Sequence, residues 1–179
     1  MDSYSLWVGI GCNRATPHIV ITAAVRHVFV AYGLAEAAIA AICTIDHKVS
    51  EVGLVEFCRD RQLPLRGFSA EALRTVIVPN PSAIASDTVG TPSVAEAAAI
   101  LAYQEWTCRT HAKAVSTVKH FSVGCHLPRP AIASTLLPTP TPLLVPKQIF
   151  RLINQPGAVT LAVAGDSQYF SGSVQGFKV

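Results

Sequence analysis

With 179 residues and a mass of 19.0 kDa, the chain fits one ordinary domain, since a fold of this size already buries about 70% of its unfolded surface. Half of the residues are hydrophobic and 14% are charged, against about 25% charged in an average soluble protein, which excludes a disordered tail protein and a highly charged coiled coil. The formal charge of +3 sits between Gln104 and Pro142, where Arg109, Lys113, Lys119 and Arg129 face Glu105 alone while the rest is neutral, so no nucleic-acid partner is expected.

Met1-Asp2-Ser3-Tyr4 lacks the basic and apolar regions of a signal peptide, which predicts a cytoplasmic protein. Leu6-Trp7-Val8-Gly9-Ile10-Gly11 reads as a buried strand, and Thr16-Pro17 predicts a helix N-cap followed by proline at the first helical position. That helix should run to about Tyr32 and stop at Gly33. The apolar stretch Ile19 to Ile45 is interrupted by Arg26, Gly33 and Glu36, so no membrane span is expected. Ala40 to Ile45 predicts a second strand. Ser50 is positioned to cap a helix from Glu51 to about Arg61, with Val52, Val55 and Phe57 or Cys58 inward.

Leu65 to Phe68 predicts a third strand, Ser69 caps a short helix, and Val76-Ile77-Val78 is a candidate fourth strand. Pro79-Asn80-Pro81 holds Asn80 in extended backbone. Ser93-Val94-Ala95-Glu96 has the form of a capping box opening an alanine-rich helix toward Tyr103. The segment 104–142 reads as a basic, proline-rich insertion, because alternate prolines from Pro138 to Pro142 fix an extended chain without amide donors. Leu143 to Val145 and Ala158 to Ala164 predict two last strands joined through Pro156-Gly157. The expected fold class is α/β, a single-domain layered sandwich with a mostly parallel or mixed sheet flanked by helices, its domain spanning 1–103 and 143–179.

Chemistry-bearing residues gather after the first two strands. Gly9-Ile10-Gly11-Cys12-Asn13-Arg14 starts like a dinucleotide fingerprint, but Arg14 stands where the third glycine is needed, which disfavours a nicotinamide cofactor. Arg14 suits a carboxylate or phosphate instead. Asp46, Lys48 and Glu51 follow the second strand, at the strand ends where open α/β sheets bind ligands, and could serve as base and oxyanion stabiliser. A surface ion pair with a helix-start glutamate is the plainer reading. Cys12 lacks a nearby acid to orient a histidine partner such as His18. The five cysteines include no Cys-x-x-Cys, so reduced thiols are expected. Cys108, His111, His120, Cys125 and His126 match no zinc-site spacing, so no metal site is expected.

Together, Leu6 to Cys12, Thr44-Ile45-Asp46-His47-Lys48 with Glu51 and Gly53-Leu54, Pro79-Asn80-Pro81-Ser82, Ser93 to Ala98 and Val159 to Ala164 resemble the CobE proteins of cobalamin biosynthesis and the C-terminal domain of CbiG. The resemblance covers 5–103 and 143–164. It implies an α/β domain acting on a precorrin or cobalt-precorrin, with no resident cofactor and cobalt present only in substrate. In that family the longer CbiG enzyme opens the ring-A lactone of a cobalt-precorrin and releases acetaldehyde, and this chain is expected to correspond to its C-terminal domain alone. The alternative is a non-catalytic precorrin-binding or carrier domain. A third reading is a protein-interaction module acting through the basic insertion. The expected catalytic residues are Asp46, Lys48 and Glu51; the expected substrate-binding residues are Gly9, Gly11, Cys12, Arg14, Thr44, Asn80, Ser82 and Lys147. Expected partners are the precorrin and other corrin-pathway enzymes, with neither nucleic acid nor membrane. Ala15 departs from the family's usual glycine after the basic residue, and 104–142 is longer than its usual connection.

Overall fold

The computed structural model describes residues 6–81, 93–116 and 142–166. Ser82, Cys125 and most of the 104–142 segment therefore lie outside the described residues.

Strand β1 (Leu6–Cys12) is the centre of a five-stranded mixed sheet. Helix α1 (His18–Ala31) carries the chain to β2 (Ile39–Ile45), and α2 (Val52–Asp60) carries it to β3 (Leu65–Phe68). After the short α3 (Ala70–Arg74) and the long α4 (Val94–Ser116), β4 (Leu143–Phe150) and β5 (Val159–Gly165) form a hairpin. The strand order is β3-β2-β1-β5-β4, with β1, β2 and β3 mutually parallel and β5 antiparallel to both β1 and β4. The two parallel crossovers place α1 and α2 on one face.

Alternation along β1 decides what each face holds, because successive strand residues point to opposite sides. Leu6, Val8 and Ile10 join Val20, Ile21, Val25, Leu54 and Phe57 in the core beneath α1 and α2. Trp7 joins Cys43, Phe68, Leu73 and the alanines of α4 in a second core. Gly9 also faces α4, and a Cβ there would lie 1.8 Å from the Ala95 carbonyl oxygen. Glycine is required because helix and strand touch backbone to backbone. At the other end of this face, Trp7 packs against Tyr103 and Trp106 with centroid separations of 5.4 and 4.9 Å.

The departures from expectation have local causes. Thr16 does not cap α1. Its hydroxyl donates to the Asn13 carbonyl at 2.9 Å, and Pro17 occupies the cap position without a side-chain bond. Likewise Glu51, not Ser50, is the N-cap residue of α2, again without a side-chain cap. Val52 and Val55 are exposed at 68% and 42%, and the buried face is Gly53, Leu54, Phe57 and Cys58. Gly53 sets this phase, since a Cβ on it would meet the Thr16 carbonyl oxygen at 2.1 Å. Val76 to Val78 form no strand; Val76 is buried under the second core and Ile77 is exposed.

Strand β4 continues through Pro146 to Phe150, with irregular register on both sides of Val145. An edge strand tolerates the missing proline amide. Helix α4 extends beyond Tyr103 to Ser116 and so takes in the start of the basic segment. The Ser69 cap forms as expected, its hydroxyl accepting from the Ala72 amide at 3.1 Å. No helix of the described residues is long and apolar enough to cross a membrane.

Replacing Gly9 by alanine should cost about 3 kcal/mol or more, because neither backbone can retreat without opening a core. Thermal denaturation should show a midpoint lowered by roughly 6 to 12 °C, whereas Gly11→Ala, whose Cβ would meet side chains at an ordinary 3.8 Å, should be tolerated.

Candidate functional site

The parallel strands end at one edge of the sheet, and the turns that follow them meet there. Pairing between β1 and β2 ends at Gly9 opposite Cys43. The buried Thr44 hydroxyl then donates to the Ile10 carbonyl at 2.7 Å, which extends the ladder with a side chain as the strands part. Thr44 is thus committed to the sheet.

Beyond Cys12, the turn 13–17 is held from three sides. The Asn13 amide donates to the Ala158 carbonyl of the β4–β5 hairpin at 3.2 Å. The Ala15 amide donates to Glu51 Oε2 at 3.0 Å. Gly53 and Gly157 both admit Thr16 at distances no side chain would allow. Ala15 itself has φ of 57°, in the left-handed region that favours glycine.

The other oxygen of Glu51 accepts from Lys48 Nζ at 2.8 Å, and both side chains retain 16% exposure. These bonds from Lys48 and the Ala15 amide, with Arg14 nearby, hold the Glu51 carboxyl below its ordinary value. Both oxygens of Glu51 are therefore engaged, whereas Lys48 keeps two donors for another acceptor. Asp46 is exposed, beside Gly67 of β3, where an added Cβ would meet its Oδ1 at 2.6 Å. Among the described residues its carboxylate makes no hydrogen bond or ion pair. Burial pushes the Cys12 thiol up to about 11, with Lys48 pulling it down and Glu51 pushing it up more weakly. Burial thus disfavours the thiolate, the form that would act as a nucleophile.

Against this turn lies a cleft of about 490 Å³ lined by Arg14, His18, His47, Glu51, Val52 and Glu56, among others. Arg14 is exposed and forms no salt bridge among the described residues. A cleft of about 600 Å³ at the opposite sheet edge is bordered by the Glu36–Arg61 ion pair, Leu63 and Pro64 and holds none of the expected site residues.

The remaining expected residues form a separate group on the α4 face. Glu96, fully buried, accepts from Asn80 Nδ2 at 2.8 Å, from the Asn80 amide at 3.2 Å and from the Lys147 amide at 3.0 Å. Lys147 Nζ donates to the Asn80 carbonyl at 2.7 Å. Asn80 and Lys147 thus meet each other around a carboxylate that the capping-box pattern places at a helix start, and not at the Arg14 cleft, whose lining includes neither. The box is half formed: Ser93 Oγ accepts from the Glu96 amide at 3.5 Å while the glutamate points inward. Gly9 and Gly11 lie within β1 facing α4 rather than in a ligand-binding turn.

The family model described as "Cobalamin synthesis G C-terminus" matches residues 6–164. Among solved structures, CobE, a protein from the cobalamin (vitamin B12) biosynthetic pathway, superposes with a TM-score of 0.61 at 23% identity. The match covers 91% of this chain and 93% of that one. The cobalamin biosynthesis protein chiG from Agrobacterium tumefaciens str. C58 gives 0.49 at 24% identity, covering 90% and 98%. No curated protein sequence matches.

Two outcomes test this geometry. Ala15→Gly should raise stability by about 0.5 to 1 kcal/mol, the relief of a left-handed alanine less the entropy glycine adds to the unfolded chain, read as an upward shift in urea midpoint. For Glu51, a depressed carboxyl contributes stability above the ordinary value of 4.5 and loses it as pH falls through its folded-state value. The Tm gap between wild type and Glu51→Gln should therefore narrow as pH is lowered from about 6 to about 3.

Proposed function

We propose a function for a chain that belongs to the cobalamin synthesis G C-terminus family: this cobalamin biosynthesis protein binds a corrin-ring precursor, a precorrin or cobalt-precorrin, in the cleft beside the β1–α1 turn. The observation that carries the proposal is Arg14. Its guanidinium stands exposed at the cleft, while Lys48 and Glu51 neutralise each other. A guanidinium that forms no salt bridge among the described residues, on a rigid turn, is suited to one of the carboxylates that fringe such a macrocycle, since its planar fork matches a carboxylate with two parallel hydrogen bonds.

Binding is the better supported role. Glu51, one of the two expected bases, is spent on the Ala15 amide and Lys48, and burial disfavours the Cys12 thiolate. A second reading, opening of the ring-A lactone, is favoured by Asp46, a carboxylate without a partner among the described residues and close in sequence to the Lys48 ammonium. In that reading Asp46 takes a proton from water and Lys48 stabilises the oxyanion that forms at the lactone carbonyl. Cobalt enters either reading only as part of the substrate, and no resident cofactor is invoked. The Asn80–Lys147 group serves the fold in this account, tying α4 to β4.

Titration with early precorrin intermediates, followed by visible absorption, should show saturable binding that weakens with added salt. Arg14→Ala should lower affinity at least about tenfold without changing the thermal midpoint, since a charge-assisted bond contributes about 1.5 to 3 kcal/mol. Unchanged affinity in that variant would place the site away from this cleft. Mass spectrometry of the same incubations separates the two readings. Loss of a two-carbon unit that disappears in Asp46→Asn would establish the lactone reaction, and intact precursor at saturation would leave binding as the function.

A further inference from the structure

Among the described residues two carboxylates line the cleft with Arg14, and neither holds its guanidinium. Glu56 Oε2 lies 3.3 Å from His18 Nδ1. Glu51 accepts from the Ala15 amide through Oε2 at 3.0 Å and from Lys48 Nζ through Oε1 at 2.8 Å. Of the two, Glu51 is the one placed to capture Arg14, because its carboxylate is anchored to the residue that follows Arg14 in the chain. The two charges also act on each other: the hydrogen bonds from Lys48 and the Ala15 amide hold the Glu51 carboxyl low, and the Arg14 charge adds to them. A guanidinium offers a carboxylate two parallel bonds where an ammonium offers a point charge. For an unoccupied Glu51, Arg14 is therefore the stronger partner.

What stands against that pairing is Lys48. It closes the short turn Asp46–Lys48 after β2 and reaches Glu51 over three positions, and the pair is withdrawn to 16% exposure while Arg14 stays at the surface. Lys48 itself is not among the residues that line the cleft. We propose that Lys48 is a positioning residue for Arg14: by occupying Glu51 it keeps that carboxylate off the guanidinium, which stays available to an anionic group entering the cleft. The inference deepens the binding reading, which gives Arg14 that task, and departs from the second reading, in which Lys48 touches the ligand. It also makes a second-site prediction. Once Lys48 is neutral, Glu51 is a competitor for Arg14, and removing the charge of Glu51 removes the competitor. Glu51→Gln does so while keeping a carbonyl oxygen for the Ala15 amide.

The first test needs no ligand. Phenylglyoxal modifies arginine side chains, and a carboxylate partner slows the reaction because a paired guanidinium holds its proton more tightly. Brief exposure followed by peptide mapping in the mass spectrometer, with the exposed Arg151 as internal standard, should find Arg14 modified at least about threefold more slowly in Lys48→Met than in wild type. Lys48→Arg should keep the wild-type rate, since its guanidinium can occupy Glu51 in the same way. The double variant Lys48→Met/Glu51→Gln should recover that rate. A wild-type rate in Lys48→Met overturns the inference, and so does a slow rate that persists in the double variant. The precorrin titration should follow the same series, with affinity lowered about tenfold in Lys48→Met and restored in the double variant. If Lys48 touches the ligand instead, the double variant stays weak and the positioning role is overturned. If wild type binds no precorrin while the modification rates follow the series, the proposed function falls and the separation of Arg14 from Glu51 by Lys48 stands.

Discussion

The turn between β1 and α1 has no ladder of its own, and what fixes it is a carboxylate borrowed from the neighbouring crossover. Glu51 Oε2 takes the Ala15 amide and Oε1 takes Lys48, so one residue joins the turn after β1 to the turn after β2. Without it, Ala15 would have little reason to stay at positive φ, because a left-handed alanine persists only where surrounding contacts over-determine it. Arg14 precedes that alanine and inherits its position from it. The cleft is thus assembled from two crossovers that are adjacent because β1 and β2 are parallel neighbours.

Parallel pairing alone would leave the two turns side by side but mobile. The glycines supply the remaining rigidity by removing side chains where chains must touch. Gly53 lets α2 meet the start of α1, and Gly157 lets the β4–β5 hairpin meet Thr16 from the other side. Its φ of 97° belongs to a region open to glycine. On the opposite face Gly9 sets α4 directly on β1. At Gly53 and Gly9 the contact is with backbone, which has no rotamers to relax, and this makes the strand edge a stiff platform.

Much of this was legible in the chain. The buried runs gave β1, β2, β3 and β5, the Ser69 cap gave α3, and the clustering of Arg14, Asp46, Lys48 and Glu51 after parallel strands pointed to one edge. What escaped has physical reasons. Gly53 contributes no hydrophobic signal although it is the residue around which α2 is phased, so Val52 and Val55 were assigned to the wrong face. Pro146 reads as a strand breaker, and only its place on an outer strand makes it tolerable. Glu96 reads as a helix-start carboxylate because its partners, Asn80 and Lys147, are 16 and 51 positions away. A buried charge is recognisable only through its partners.

The aromatic group at the far end of α4 gives the molecule an optical asymmetry. The chain has two tryptophans, and both belong to this one group, with ring centroids 4.9 Å apart. At that separation their strong far-ultraviolet indole transitions couple, so far-ultraviolet circular dichroism carries an exciton contribution that depends on α4 being docked on β1. Trp7 lies five strand residues from Cys12, about 16 Å along β1 at the usual rise. Indole emission therefore originates away from the cleft, and a visible-absorbing macrocycle seated there would be sensed through resonance energy transfer rather than by contact.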